Sequence, residues 1–495
     1  MSTDKFFATL TQCRDAVLPP RAQSWLKTPR GMWTFFAAIH LVFLTLAGLL
    51  SLHGEAFSDT SFYRLWAYVD FDGSRVDGPS PWVYPILALV PMAVAYIFGL
   101  GPFLFIWVLM IAGLNALAVG KLTSWGRNHK AIPAALWWIS FTTLMAWLGF
   151  ARVDGLTAPV VLIALCFGVA SPFLTSFILS VATWTKVWPA AIILALFTVV
   201  KQRIQVVLAG MLVTAFVVAL AMAMNALPLL LNFLLEQGDR GMQLEAAFTT
   251  PWLWMSVLGI GGARMYMNQD INSMQVDGPG SDVMSFLMQP LLIVAALLVA
   301  ALIFWALHTG KRNGGADRTA LLLFGSLALV TAFIVFNKVG SPQFMVWLAP
   351  AVAVGLTHQW KAWRVPAAML IAVAMLTFVV YPLFYNALAH NNPIMAGVLT
   401  LRNLLLVVLF VWSVRQLVIM GRNPLAIPRH DAGASPVLLE PAAVVSSADA
   451  AVATSSATGT TSATGTASAT GTASATSAAT DPADDPANNP INKEH

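Results

Sequence analysis

Residues 32–52 have the sequence MWTFFAAIHLVFLTLAGLLSL, which contains no acidic residue, lysine or arginine. The hydrocarbon core of a bilayer is about 30 Å thick, and a helix of roughly 20 apolar residues crosses it. The stretch begins too far along the chain and is too long for an ordinary cleaved signal peptide. It therefore predicts a retained first membrane-spanning helix.

Apolar runs of this kind recur along the chain, which has 495 residues, 58% of them hydrophobic and 10% charged. A soluble domain carries about 25% charged residues. The alternating segments of roughly ten residues that mark an outer-membrane barrel do not occur. We therefore predict an all-α fold, a polytopic bundle of transmembrane helices surrounded by membrane lipids.

The charges and cysteines exclude several other classes of protein. The net charge of +5 is explained by basic cytoplasmic loops, so we expect no nucleic-acid partner. The two cysteines, Cys13 and Cys166, indicate neither a disulfide framework nor a metal cluster.

Composition divides the chain into three parts. Residues 1–31 are a polar, basic segment that we predict to be cytoplasmic, and residues 32–420 form the membrane domain. Residues 421–495 become rich in Ala, Ser and Thr and contain a repeated six-residue unit, as in TSATGTASATGT. A segment with no apolar face to bury is typical of disorder, so we predict a disordered cytoplasmic tail.

The distribution of basic residues predicts the topology, since cytoplasmic loops are enriched in lysine and arginine. The N-terminus and residues 121–130 are both basic, so an even number of spans must separate them. Three apolar runs lie between them, and we interpret 82–100 as an interfacial or re-entrant helix because it contains Pro85 and Pro91. With three short helices in 157–200, about 12 spans result, and both ends of the chain are cytoplasmic.

Most polar residues that the positive-inside rule does not explain fall on the outer side of this topology. Charges at the edge of the hydrocarbon are costly unless they are solvated or paired, so each is a candidate functional residue. The candidates are Asp59, Tyr63, Arg64, Arg152, Asp154, Lys186, Arg240, Gln243, Glu245, Lys338 and Gln343.

Each of these candidates also has a structural interpretation. Asp59 could cap a helix that begins in SDTSFYRLW, and Arg152 and Asp154 could pair with each other across a turn. Lys186 lies between two tryptophans, like an interfacial anchor, and Lys338 could be a similar anchor.

A D-x-D pair in the first outer loop, Asp70 and Asp72, needs separate comment. Two carboxylates at this spacing sometimes bind a metal, but they are more often simply solvated in a loop. We favour the solvated loop.

A set of carboxylates and cations at the outer surface of a membrane suits transfer from a lipid phosphate. Lysine and arginine can stabilise the charge that develops on an anionic leaving group. A carboxylate, with a reference pKa of about 4, is ionised at neutral pH and can accept the proton of an acceptor hydroxyl. An apolar groove between helices would hold a prenyl chain.

Five segments in order resemble the actinobacterial integral membrane glycosyltransferases of family 87, in the GT-C class. They are SDTSFYRLWAY, RVDGLTAP, ATWTKVWPAAI, DRGMQLEAAFTTPW and FNKVGSPQFMVWLAP, which together extend from Asp59 to Pro350. The resemblance implies a GT-C fold with interfacial helices in the first outer loop. It also implies a polyprenyl-phosphate sugar as donor, most often one that carries mannose, and a lipid-anchored or cell-wall glycan as acceptor.

The resemblance implies roles for individual residues as well. Asp59 corresponds to the catalytic acidic residue of the first outer loop, and Asp154 to a second acidic position. Together with the chemistry above, it suggests that Arg152, Lys186, Arg240 and Lys338 bind the donor phosphate. It suggests that Tyr63, Arg64, Gln243, Glu245 and Gln343 bind the sugar or the acceptor. We expect no metal and no other cofactor.

The resulting hypothesis is an inverting glycosyltransferase of the bacterial plasma membrane, with its active site facing the cell exterior. Three alternatives remain at this point. One is an arabinofuranosyltransferase of the same family that uses decaprenyl-phosphate arabinose. The others are a transporter of lipid-linked sugars and a polymer ligase with a pyrophosphate-linked donor, for which Asp70 and Asp72 would hold a metal.

Overall fold

The computed structural model describes residues 3–55, 57, 59–68, 82–231, 241–269, 273–312 and 315–422. Within them the helices are α1 (Thr3–Val17), α2 (Pro20–Leu26), α3 (Pro29–Leu52), α4 (Thr60–Tyr68), α5 (Leu89–Tyr96), α6 (Phe103–Leu122), α7 (Ile132–Leu144), α8 (Trp147–Phe150), α9 (Val153–Phe167), α10 (Pro172–Thr185), α11 (Ala190–Val199), α12 (Arg203–Ala223), α13 (Thr250–Val257), α14 (Ser281–Arg312), α15 (Arg318–Val335), α16 (Ala349–His358), α17 (Trp360–Phe378), α18 (Tyr385–Ala389) and α19 (Pro393–Arg422). The tail predicted for 421–495 lies outside the described residues from position 423 onward.

Seven helices within the described residues are long and apolar enough to cross a membrane: α3, α6, α12, α14, α15, α17 and α19. This confirms the prediction of an all-α polytopic membrane protein. The other predicted spans contain shorter helices, of 13 residues in α7, 15 in α9, 14 in α10 and 10 each in α11 and α16. The total of about 12 spans therefore stays a prediction.

The apolar run at 82–100 does not form a full span. It contains a 3₁₀ turn, Ile86–Ala88, followed by α5. At 1.5 Å per residue this combined helix is about 16 Å long, roughly half the thickness of the hydrocarbon core. It packs against α4 and α6, so the described part of the first predicted outer loop around α5 is folded onto the bundle.

Helix α9 is the central element of the bundle, and its burial explains why its sequence is apolar on all sides. Most of its residues are buried, and it packs against α6, α10 and α16. A helix that is hydrophobic all round is expected where neighbours cover every face. Its N-terminus carries the two polar residues Arg152 and Asp154.

A small antiparallel hairpin was not predicted from the sequence. Strand β1 (Arg264–Asn268) pairs with β2 (Ser273–Asp277), in a register that runs from Arg264↔Asp277 to Asn268↔Ser273. The hairpin follows a turn in which Gly259, Gly261 and Gly262 have positive φ angles, which glycine adopts readily. Two strands of five residues carry too weak an alternation signal to stand out within the long segment 225–287.

The contact between α16 and α17 predicts a stability effect. A Cβ atom added to Gly355 in α16 would overlap the indole ring of Trp363, whereas one added to Gly397 in α19 would meet open space. Because a fully buried tryptophan cannot move aside without disturbing its neighbours, we expect Gly355→Ala to destabilise the protein by about 1–3 kcal/mol. Thermal unfolding of the purified protein in detergent measures the change.

Gly397→Ala is the matched control for this substitution. It makes the same chemical change inside a helix, where alanine is favoured over glycine by up to about 1 kcal/mol. We expect an unchanged or slightly raised unfolding temperature. Equal unfolding temperatures for the two variants would contradict the packing that the structure assigns to Gly355.

Candidate functional site

A cavity of about 640 Å³ lies where the ends of several helices meet. We call its charged and polar lining residues the polar part, and its aromatic and apolar lining residues the apolar part. Of the sequence candidates, those that line it are Asp59, Tyr63, Arg152, Lys186, Gln243, Glu245, Lys338 and Gln343. These residues are far apart in the sequence, and the fold brings them to one place.

An ion pair between Asp59 and Arg152 closes one side of the polar part. Asp59 precedes α4 and Arg152 precedes α9, and Nη1 of the arginine contacts Oδ2 of the aspartate. The Asp59 side chain is 25% exposed and that of Arg152 is 10% exposed. Nη2 of Arg152 also donates to the hydroxyl of Tyr381, at 3.3 Å. Arg152 therefore pairs with Asp59, five helices earlier in the chain, rather than across the turn with Asp154.

The Tyr63 hydroxyl connects this ion pair to the start of α9. It accepts a hydrogen bond from the Val153 N–H at 3.3 Å and lies 3.2 Å from the Tyr84 hydroxyl. It also lies 3.5 Å from Oδ2 of Asp59, which is long for a hydrogen bond. Tyr63 is fully buried, and burial raises the pKa of its phenol. It therefore stays protonated and holds α4 against α9.

Asp154 lies behind the cavity wall and is not among the residues that line the cavity. It is completely buried. Nε1 of Trp347 donates to its Oδ1 at 2.5 Å, and Nζ of Lys186 lies 4.0 Å from its Oδ2. The ammonium of Lys186 also lies 4.3 Å from the centroid of the Tyr84 ring. Asp154 and Tyr84 together fix the position of Lys186.

Glu245 also belongs to the polar part and has two arginines near it. Burial raises the pKa of its carboxyl group, whereas Arg402, a hydrogen bond from Tyr385 and Arg152 act to lower it. Arg402 belongs to α19, is 1% exposed, and donates from Nη2 to the main-chain oxygen of Glu245. The carboxyl group of Glu245 therefore lies in a partly compensated, largely dry environment.

Gln243 is held by two other chain segments at once. Its main-chain N–H donates to the Lys338 carbonyl oxygen at 2.9 Å. Its Oε1 accepts from the Gly340 N–H at 3.1 Å, and its Nε2 donates to Oγ of Ser273 at 2.8 Å. These bonds occupy the side-chain amide, so Gln243 joins the hairpin to the turn at 337–341.

Gln343 differs from Gln243 in this respect. It lies in a 3₁₀ turn, Pro342–Leu348, lines the cavity and is 6% exposed. Its Oε1 is buried and has no hydrogen-bond partner in the structure. A buried amide oxygen without a partner costs free energy, and a ligand hydroxyl in the cavity would satisfy it.

Some candidates are placed elsewhere or lie outside the described residues. Arg64 donates from Nη1 to the Gly54 carbonyl oxygen at 3.2 Å and is not among the cavity-lining residues. Arg240, Asp70 and Asp72 lie outside the described residues.

The apolar part of the cavity is an aromatic wall. Trp188 and Trp347 stack with a centroid separation of 5.7 Å, and Phe344 stacks on Trp347 at 3.9 Å. Phe333 packs edge-on against the same tryptophan, and Leu292 extends this surface. The cavity can therefore accept a ligand that is polar at one end and hydrocarbon at the other.

The sequence analysis missed several residues of the site, among them Tyr84, Trp347, Tyr381, Tyr385 and Arg402. Arg402 carried a usable signal, because an arginine inside the apolar run at 397–419 marks a functional candidate by default. The aromatic residues carried none, since tyrosine and tryptophan are common at membrane interfaces.

Comparison with known proteins identifies a family. The model described as "Glycosyltransferase family 87" matches residues 82–336, just over half of the chain. The match includes Arg152, Asp154, Lys186 and the segment that carries Gln243 and Glu245, whereas Asp59 lies before it. No curated protein and no solved structure matches the chain.

The bonds around Gln243 predict that its removal loosens the site. In Gln243→Ala the Gly340 N–H loses its acceptor. The Ser273 hydroxyl, at the start of β2, loses its donor. An unsatisfied buried donor costs about 1–3 kcal/mol, so we expect a lower unfolding temperature in detergent. We also expect faster proteolysis of the 241–269 segment.

Gln289→Ala is the matched control, because Gln289 lines the same cavity but is an exposed residue of α14. Surface substitutions usually change stability by less than about 0.5 kcal/mol. If both glutamine variants unfold and are cleaved like the parent protein, Gln243 does not join these segments.

Proposed function

The chain belongs to glycosyltransferase family 87, and we propose that it is an inverting enzyme that transfers a sugar from a polyprenyl phosphate to a glycan acceptor. One observation supports this most directly. The Asp59–Arg152 ion pair faces a cavity that has a charged part and an aromatic wall. Such a cavity suits a donor with an anionic phosphate, a polar sugar and a hydrocarbon chain.

Asp59 is the general base in this proposal. Without donor, its carboxylate and the Arg152 guanidinium neutralise each other. The phosphate of the donor competes for Arg152, because guanidinium groups bind phosphate through paired hydrogen bonds. Asp59 is then available to the acceptor, and a carboxylate within hydrogen-bond reach can take the proton of its hydroxyl.

The reaction is a single displacement. The acceptor oxygen forms a bond to the anomeric carbon from the face opposite the phosphate. The bond between that carbon and the phosphate oxygen breaks, and its electron pair leaves with the polyprenyl phosphate. The acceptor proton passes to Asp59 and then to solvent. One displacement inverts the anomeric configuration.

The cations of the cavity stabilise the leaving phosphate. Arg152, Lys186 and Lys338 line the cavity, and fixed positive groups lower the energy of a transition state that develops negative charge. Arg240 remains a proposed fourth partner. These side-chain cations can neutralise the charge of a prenyl monophosphate leaving group, so we propose that the reaction requires no metal.

Asp154 is a positioning residue in this proposal rather than a second base. Its carboxylate lies against Lys186 and accepts from Trp347, behind the wall that a substrate would touch. It holds the ammonium group towards the cavity. Gln343 and Glu245, which line the cavity, bind sugar hydroxyl groups, and Gln243 supports the loops around them.

The aromatic wall holds the first isoprene units of the donor. Trp188, Phe344 and Trp347 offer flat apolar faces beside the cations. We propose mannose as the sugar, arabinose as the alternative, and a lipid-anchored or cell-wall glycan as the acceptor. We further propose that the protein resides in the bacterial plasma membrane, with this cavity facing the exterior.

Substitution of Asp59 tests the proposal. Purified protein receives polyprenyl-phosphate mannose or polyprenyl-phosphate arabinose with a lipoglycan acceptor, and radiolabel in the glycan is measured with and without EDTA. Removal of a general base lowers kcat by about 10²–10⁴-fold. We expect that loss in Asp59→Asn, with activity of the parent protein unchanged by EDTA.

Asp282→Asn is the control, because Asp282 is an exposed acidic residue at the start of α14. It should retain full activity, and both variants should match the parent in expression. Full transfer by Asp59→Asn would exclude the base role. Donor movement across a vesicle bilayer without transfer would favour the transporter, and loss of activity in EDTA would favour a metal-dependent ligase.

A further inference from the structure

Among the residues that the structure describes, Arg402 is the most deeply buried charged group that the sequence analysis left without a role. It lies in α19, nine residues after Pro393, which corresponds to about 14 Å along the helix. Its side chain is 1% exposed, and the surrounding residues of α19 are predominantly apolar. A charged group in such surroundings is costly, and in membrane helices it usually has a functional partner.

The contacts of Arg402 converge on the loop that carries Glu245. Nη2 donates to the main-chain oxygen of Glu245 and, at 2.7 Å, to Oδ1 of Asn403. Asn403 in turn donates from Nδ2 to the Ala246 carbonyl oxygen at 3.3 Å. The guanidinium therefore lies directly behind the residue that faces the cavity.

Because Nη2 of Arg402 bonds the main chain of Glu245, the guanidinium charge lies near the carboxyl group of the same residue, and a nearby cation favours the ionised form of a carboxyl group. Burial favours the neutral form of this carboxyl group and raises its pKa, and Arg402 is the strongest opposing influence. A hydrogen bond from Tyr385 in α18 and the charge of Arg152 before α9 act in the same direction as Arg402. Because arginine remains protonated in proteins, its compensation does not vary with pH.

We propose that Arg402 is a positioning residue that keeps Glu245 ionised at the cavity surface, so that Glu245 can accept hydrogen bonds from the hydroxyl groups of the transferred sugar. An ionised carboxylate has only acceptor sites, whereas a protonated one carries a donor. Hydrogen bonds to a charged acceptor are also roughly twice as strong as neutral ones. Arg402 thus acts through Glu245 and does not itself touch substrate.

The role of Arg402 in sugar binding rests on the proposed function, but the charge state of Glu245 can be measured without any substrate. Dicyclohexylcarbodiimide adds to protonated carboxyl groups in apolar surroundings and does not add to carboxylates. Mass spectrometry of the labelled protein then reports the fraction of Glu245 that is protonated at each pH. Glu245→Gln provides the unlabelled reference.

Four proteins are compared between pH 5 and 9: the parent, Arg402→Gln, Arg402→Lys and Arg415→Gln. We expect labelling at Glu245 to be higher in Arg402→Gln at pH 7.5, with the pH midpoint of labelling moved upward. Arg402→Lys keeps the charge and should remain near the parent. Arg415→Gln removes an exposed charge from the same helix and should not change labelling.

Either of two labelling results would overturn the proposal. One is equal labelling at Glu245 in Arg402→Gln and the parent. The other is labelling in Arg402→Lys as high as in Arg402→Gln, because the positive charge that lysine retains would then have no effect on Glu245.

A double variant covers the case in which Arg402→Gln does not fold. If the loss arises from an uncompensated carboxylate, Glu245→Gln combined with Arg402→Gln should restore a monodisperse, folded protein. Continued failure of the double variant would assign Arg402 a purely structural role and reject the proposal.

Transfer assays then test the step that depends on the proposed function. In Arg402→Gln the acid limb of the pH–rate profile should move to higher pH and KM for the donor should rise, while Arg402→Lys restores both. If labelling shifts but the pH–rate profile does not, the sugar-binding role of Glu245 is rejected, while the effect of Arg402 on its charge stands. Absence of transfer in the parent protein would reject the proposed function and leave the labelling result intact.

Discussion

The arrangement of the cavity depends on one constraint: a charge removed from water inside a helical bundle must be compensated close by. Asp59 and Arg152 satisfy it by pairing across two segments that are more than ninety residues apart. The pair fixes the loop after α3 against the start of α9. Tyr63 strengthens the same junction, since its hydroxyl accepts from the Val153 N–H. The position of Asp59, the proposed base, therefore depends on its ion pair with Arg152 as well as on the packing of α4 against α9.

The same constraint gives the cavity its net charge. Within the described residues, Asp154 lies against Lys186 and Glu245 lies beside Arg402. With the Asp59–Arg152 pair, these groups balance, and Lys338 adds one more positive charge to the lining. Each carboxylate has a cation near it, which lowers the cost of burying these charges without ligand. The cavity also has a positive surplus that suits an anionic donor.

The aromatic wall explains how a polar reaction can take place within an apolar bundle. Trp347 stacks with Trp188 and Phe344 and also donates to Asp154. A tryptophan is suited to this position because one edge donates a hydrogen bond while the face remains apolar. The residue joins the charged part of the cavity to the part proposed for the prenyl chain. The buried Gly355–Trp363 contact, by comparison, serves packing between α16 and α17 alone.

The sequence by itself determined the class of fold, because apolar runs near 20 residues and scarce charge are sufficient for a helical membrane protein. It also indicated the charged residues that line the cavity within the described part of the chain, since unexplained charges in an apolar chain are few. Only the tertiary structure decided their partners: Arg152 pairs with Asp59 and not with Asp154, and Gln243 supports loops whereas Gln343 faces the cavity. These distinctions depend on distances between segments that are remote in sequence, and no local pattern records them.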